Sequence, residues 1–177
     1  MDSNFTQYYL KFDKLPSRFT IIENLDGVLE DIVNKKNISE LIVKSRTENL
    51  SLIRDFISNK ASAKGLSKED IENIMLSVDE ACTNIIKHAY DSYPDGEIVI
   101  NLEFNSEKIL ITIIDQGITF NPDSVPDPDL QKYYKNGRVG GLGMYLMKTL
   151  MDDVKYISVP GEYNKVLLSK KINVAQN

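Results

Sequence analysis

Between Leu66 and Asp115 the spacing of apolar residues changes from that of a helix to that of a strand. In "LSKEDIENIMLSVDEACTNIIKHAY" the residues Ile71, Ile74, Met75, Val78, Cys82, Ile85, Ile86 and Ala89 recur every three or four positions. That period places them along one side of a helix. Ser67 with Asp70 three positions later forms a capping box with Asp in place of Glu, so the helix opens there. It ends before the turn "DSYPDG". The runs "EIVINLEFN" and "KILITIID" then follow, joined by Asn105–Glu107, and read as a β-hairpin. An amphipathic helix and a hairpin side by side each need an apolar partner surface, and each can supply it to the other.

The rest of the chain extends this pattern. Upstream, "LIVKS" reads as a strand and "TENLSLIRDFISNKASAKG" as a helix, with Leu50, Ile53, Phe56 and Ile57 at helical spacing, Thr47 as N-cap and Gly65 as stop. Downstream, residues 116–140 carry Gly117, Pro122, Pro126, Pro128, Gly137 and Gly140, and predict a long loop. "GLGMYLMKTLMDD" is helical, and "VKYISVP" and "KVLLSKKI" are two strands around Gly161. The order predicts an α+β two-layer sandwich, with a mixed, mostly antiparallel sheet covered by helices on one face. Residues 40–177 form the predicted domain. Residues 1–39 are an N-terminal extension of unknown role, with a short strand at Phe19–Ile22 and a short helix over "LDGVLEDIVNKK".

Composition removes several function classes. The 177 residues fit one domain, and 42% apolar with 27% charged residues supports a core without disulfides or metals. A net charge of −5 disfavours direct nucleic-acid binding, which needs clustered Lys and Arg. With one cysteine, Cys82, and one histidine, His88, the chain forms neither an internal disulfide nor a zinc site of its own. The start "MDSNFTQYYLKFDK" lacks a signal peptide, and no apolar run approaches the roughly 20 residues of a membrane span. A soluble cytoplasmic protein is expected.

Three groups of residues carry chemistry. On the helix, Glu80, Asn84 and His88 recur at steps of four, each about 40° further round the axis, and form a polar strip beside the apolar one. Glu is suited to act as a general base. The Asn oxygen suits magnesium, and Lys87 and His88 could approach phosphate oxygens. The alternative is a solvated polar face. In "IIDQGITFNP", Asp115 ends an apolar strand and precedes Gly117: an acid able to accept from an exocyclic amine and a glycine that lets a flat ring approach, or else a plain turn. In "NGRVGGLGMYLMKTL", Gly140, Gly141, Leu142 and Gly143 open a helix whose N–H groups and dipole favour an anion, with Arg138 adding charge; a flexible hinge is the alternative. The Rossmann reading is weak, because a long loop rather than a strand precedes the glycines.

Taken in order, Glu-x-x-x-Asn on a helix, Asp-x-Gly after a strand and Gly-x-Gly opening a helix resemble the N, G1 and G2 boxes of the GHKL ATPase superfamily. "VDEACTNIIKHAY", "DQGITFNP" and "GGLGMYLMKTLMDDV" are most similar to bacterial anti-sigma-factor serine kinases, over roughly Leu41 to Ile172. The resemblance implies the Bergerat fold, with ATP and Mg2+ as cofactors. It implies that Glu80 is the general base, Asn84 the magnesium ligand, Asp115 the adenine-reading acid and Gly117 the close-approach glycine. Residues 121–140 would form the ATP lid, and Gly141 and Gly143 the phosphate-side turn. The implied partners are a STAS-domain anti-sigma antagonist, phosphorylated on serine, and a sigma factor, held inactive; a homodimer is possible. The chain departs from the pattern in lacking the second glycine of Asp-x-Gly-x-Gly and a Gly-Thr third box, where "GEYNKVLLSKK" offers Asn164 and Ser169. Two alternatives use the same residues: an ATP-gated binding module without kinase activity, and an ATP hydrolase that activates water through Glu80.

Overall fold

The computed structural model describes residues 38–119 and 142–172. In chain order these form β1 (Ile38–Lys44), a 3-10 turn (Thr47–Asn49), α1 (Leu50–Ala63), α2 (Lys68–Asn84), a π-helical turn (Ile85–Ala89), β2 (Glu97–Phe104), β3 (Lys108–Asp115), α3 (Leu142–Leu150), β4 (Asp153–Val159) and β5 (Tyr163–Lys171). The sheet order is β1-β2-β3-β5-β4, and every pairing is antiparallel. The α+β sandwich expected from the sequence is the fold found. Ile38 and Ser39 already pair with β2, opposite Glu103 and Leu102, so the sheet begins two residues inside the segment read as the extension. The strand and helix expected in the first 37 residues, and most of the long loop, lie outside the described residues.

Alternation in the strands decides which face is covered. Ile98, Ile100 and Leu102 of β2 and Ile109, Ile111 and Ile113 of β3 are fully buried, whereas Val99, Asn101, Leu110, Thr112 and Ile114 between them are partly exposed. The buried set meets Ile53 and Ile57 of α1, Ile74 and Val78 of α2 and Met147 of α3 in one cluster. Each such side chain contributes about 1.5–3 kcal/mol by leaving water. α2 touches both α1 and α3, so the polar edge of α2 is carried into the middle of the helical layer.

Local chemistry sets the ends of the elements. Ser67 Oγ accepts from the Asp70 N–H at 3.1 Å and donates to Asp70 Oδ2 at 2.7 Å, so the expected cap is present. Gly65, at φ +74, closes α1: its N–H donates to Ser62 O, and the Leu66 N–H donates to Ala61 O. Thr47 does not cap α1. The chain enters through the 3-10 turn instead, where Asn49 Nδ2 donates to Lys44 O and the Asn49 N–H to Arg46 O. At the hairpin, Asn105 Oδ1 accepts from the Glu107 and Lys108 N–H groups. No helix among the described residues is long and apolar enough to cross a membrane.

Candidate nucleotide site

The π-helical turn is the feature that the apolar pattern did not announce. At its end the Tyr90 N–H donates back five residues to Ile85 O, at 2.9 Å. The widened turn keeps Ile85, Ile86 and Ala89 in the core and frees the Ala89 carbonyl from the helical ladder. The Ile118 N–H takes up that carbonyl at 2.7 Å, joining the end of the helix to the segment after β3. Gly117 lies against the same carbonyl, and a Cβ there would overlap it. The glycine after Asp115 is therefore required by a close backbone approach. Tyr90 reinforces the junction: its hydroxyl accepts from the Gln116 N–H at 2.9 Å and donates to Glu97 O at 2.7 Å.

A cleft of about 360 Å³ opens between α2, α3 and the β4–β5 end of the sheet. Asn84 and His88 border it from α2 and the π turn, Asp115 from β3 and Gly143 from α3. The three groups picked out in the sequence thus meet around one space. Ala81, Ile85, Met144, Met147 and Val166 give it apolar walls, suited to a flat ring. Glu80 stands beside it: its carboxylate packs so closely on Gly143 that a Cβ at that position would collide with it. Gly117 supports the cleft from behind, through Ala89. Leu142 is the first residue of α3 and does not line the space, and Lys87 is exposed and away from it. Arg138, Gly140 and Gly141 lie outside the described residues.

Asp115 is 3% exposed. Its Oδ1 accepts from the Gly117 N–H and from Asn164 Nδ2, both at 2.9 Å, and no described residue bonds its Oδ2. Burial pushes its carboxyl above the usual carboxylate range, and the Asn164 and Gly117 donors oppose that rise. Burial also pushes the Cys82 thiol upward, so that side chain is an inert part of the core, and raises Tyr156 at the cleft to about 12.

Sequence reasoning left Asn164 unassigned and missed Tyr156, Ser158 and Lys165, all of which line the cleft. Their signal is the pairing register, which sets Asn164 opposite Asp115. Local pattern does not contain that register.

The profile of the histidine kinase-like ATPase domain matches residues 43–170. This chain belongs to that family. It is 34% identical over 139 residues to the serine-protein kinase RsbW of Bacillus velezensis, covering 76% of this chain and 85% of that one. It is 35% identical over 127 residues to RsbW of Bacillus subtilis, covering 69% and 79%. RsbW of Listeria monocytogenes is 35% identical over 140 residues, covering 77% and 88%. In fold it is similar to a crystal structure of the RsbU and RsbW domains of a Mycobacterium tuberculosis protein, with a TM-score of 0.54 and 14% identity over 76% of this chain and 32% of that one. The GHKL superfamily inferred from the three boxes is thus the correct one, and ATP use follows from membership of the ATPase domain family.

Proposed function

We propose that the protein is an ATP-dependent serine-protein kinase that phosphorylates a STAS-type antagonist and, in its other state, holds a sigma factor. The observation that carries the reading is the convergence of Glu80, Asn84, Asp115 and Gly143 on one cleft. The similarity to the serine-protein kinases RsbW favours transfer to a protein serine over the other chemistries such a cleft supports.

The residues present fit the nucleotide and its metal. Asp115 Oδ2 is an acceptor with no described partner on a side chain that borders the cleft, suited to an exocyclic amine, and the methionine-lined walls suit a purine. At the other end, neither Asn84 nor Glu80 makes a side-chain hydrogen bond or ion pair to a described residue. Asn84 would hold Mg2+ through its amide oxygen, with nucleotide phosphates and water as the remaining ligands, as that ion prefers. When bound, the ion neutralises charge on the phosphates. Phosphoryl transfer asks little covalent chemistry of the protein, so positioning and charge do most of the work. Glu80, half-buried and held against Gly143, takes the proton of the attacking serine hydroxyl. The N-terminal turn of α3, beginning at Leu142, borders the cleft at Gly143 and would offer its backbone dipole to a phosphate there. A cytoplasmic setting and the absence of any nucleic-acid or membrane role belong to this reading.

The test incubates the protein with Mg2+, γ-labelled ATP and STAS-domain proteins of the same genome. Label on a partner serine is expected. Partner binding without label would replace the kinase by an ATP-gated binding module, and phosphate release without any partner would make it an ATP hydrolase.

A further inference from the structure

Lys87 belongs to the nucleotide helix, yet it is exposed, does not line the cleft and makes no ion pair with a described residue. Leu76, four residues before Glu80, is 42% exposed, an apolar side chain on a face otherwise made of Glu72, Asn73, Asp79 and Thr83. The helix relates these residues to Glu80. Seen down the axis of α2, Ala81 and Asn84, which line the cleft, lie about 100° and 40° to one side of Glu80. Leu76 and Thr83 lie about 40° and 60° to the other side. Lys87, reached through the wider π turn, stays on that second side. The strip formed by Leu76, Thr83 and Lys87 is bounded toward α1 by Asp79, whose Oδ2 lies 3.1 Å from Arg54 Nε. Toward α3 it is bounded by Glu80 itself, packed on Gly143. Glu80 thus stands on the border between the cleft and a surface open to solvent.

We propose that Leu76, Thr83 and Lys87 form an acceptor-reading surface, which seats an extended serine-bearing segment of the protein substrate with an apolar residue on Leu76 and a carboxylate on Lys87. The inference rests on the kinase reading above and adds to it what the substrate carries beside its serine. In phosphoryl transfer the attacking and leaving oxygens are roughly in line. With the nucleotide on the cleft side of Glu80, the hydroxyl comes to that base across the strip. α2 rises about 1.5 Å per residue, so Leu76 lies about 6 Å and Lys87 about 10 Å from Glu80 along the axis, in opposite directions. An extended chain advances about 3.3 Å per residue. The apolar residue therefore falls about two positions to one side of the serine, and the carboxylate about three to the other. Thr83 lies between them, where a short side chain leaves room for the backbone of the segment.

The test uses the STAS-domain protein that the wild type labels, at saturating Mg-ATP. Wild type, Leu76→Ser and Lys87→Glu are compared for KM toward that protein, for kcat and, by calorimetry, for ATP affinity. Each variant should raise the protein KM by about 5–10-fold, as for a contact residue at a protein interface, with kcat changed less than about threefold and ATP affinity unaltered. Lys87→Glu should also flatten the salt dependence of KM. Acidic residues within four positions of the acceptor serine are then changed to Lys one at a time. One of these substrates should be poor for the wild type and regained by Lys87→Glu, a rescue that a merely structural lysine does not give. An unchanged protein KM in both variants, or no charge-swapped substrate regained, overturns the proposal while the kinase reading stands. If Leu76→Ser instead halves the mass in sedimentation, the strip is covered by a second copy of the chain and the proposal is likewise overturned. A folded wild type that binds Mg-ATP and labels no STAS-domain protein removes the kinase reading, and this inference with it.

Discussion

The two ends of the cleft are built differently. At the end proposed for the base, Asp115 and Asn164 are nearly buried, bonded to each other and to the Gly117 backbone, with Tyr90 and the π turn bracing them from outside. At the end proposed for the phosphates, Glu80 and Asn84 are half-exposed and make no hydrogen bond to a described side chain or backbone group. A base has one shape and one pattern of donors, so its acceptors can be fixed in advance. Phosphates, a metal ion and an incoming hydroxyl bring their own charges and coordination. Groups serving them gain from remaining unbonded until those ligands arrive. The base end is thus expected to control affinity, and the phosphate end rate.

The largest effect should come from Glu80→Gln. Phosphate transfer to the partner serine should fall by about 10²–10⁴-fold, the usual contribution of a general base, with ATP affinity nearly unchanged in calorimetry. A large affinity loss would erase the division between the two ends. Gly143→Ala sharpens it. The new Cβ would push the Glu80 carboxylate aside, so kcat should drop by about 10²-fold, the cost of a misplacement near 1 Å, with KM little altered in steady-state kinetics.

Asp115→Ala should do the reverse. ATP affinity should weaken by about 10–100-fold, as expected from losing a charge-assisted hydrogen bond, while turnover at saturating ATP is largely retained. Asp115 also predicts a pH dependence. Its folded carboxyl keeps a proton to higher pH than in the unfolded chain, so its contribution to stability declines as pH rises from the ordinary aspartate range through the raised folded value. ATP binding, which needs the ionised acceptor, should grow over the same interval. Melting curves and ATP titrations at stepped pH check the two opposite trends, and Asp115→Asn should flatten both. The smallest effect is expected at Ser67→Ala. Loss of the cap should cost about 1 kcal/mol of stability in denaturant unfolding and leave both ends of the cleft unchanged.

Local features were legible without a structure. The Ser67–Asp70 cap, the Gly65 stop, the Asn105–Glu107 hairpin and the strand alternation each involve residues a few positions apart, and the chemistry of those residues suffices. Thr47 shows the limit even there, since a competing 3-10 entry, held by Asn49, took the place of its cap.

The amino-acid order by itself determined the α+β sandwich, its helical and strand periods and the three boxes, because hydrophobic spacing and residue type act over short stretches of chain. The tertiary structure alone decided that Gly143 backs Glu80, that the π turn of Ile85–Ala89 brings Ala89 against Gly117, and that Asn164 grips Asp115 from a strand 49 residues away. Those relations depend on strand register and helix packing. The burial of the whole core fixes both, and no single segment records them.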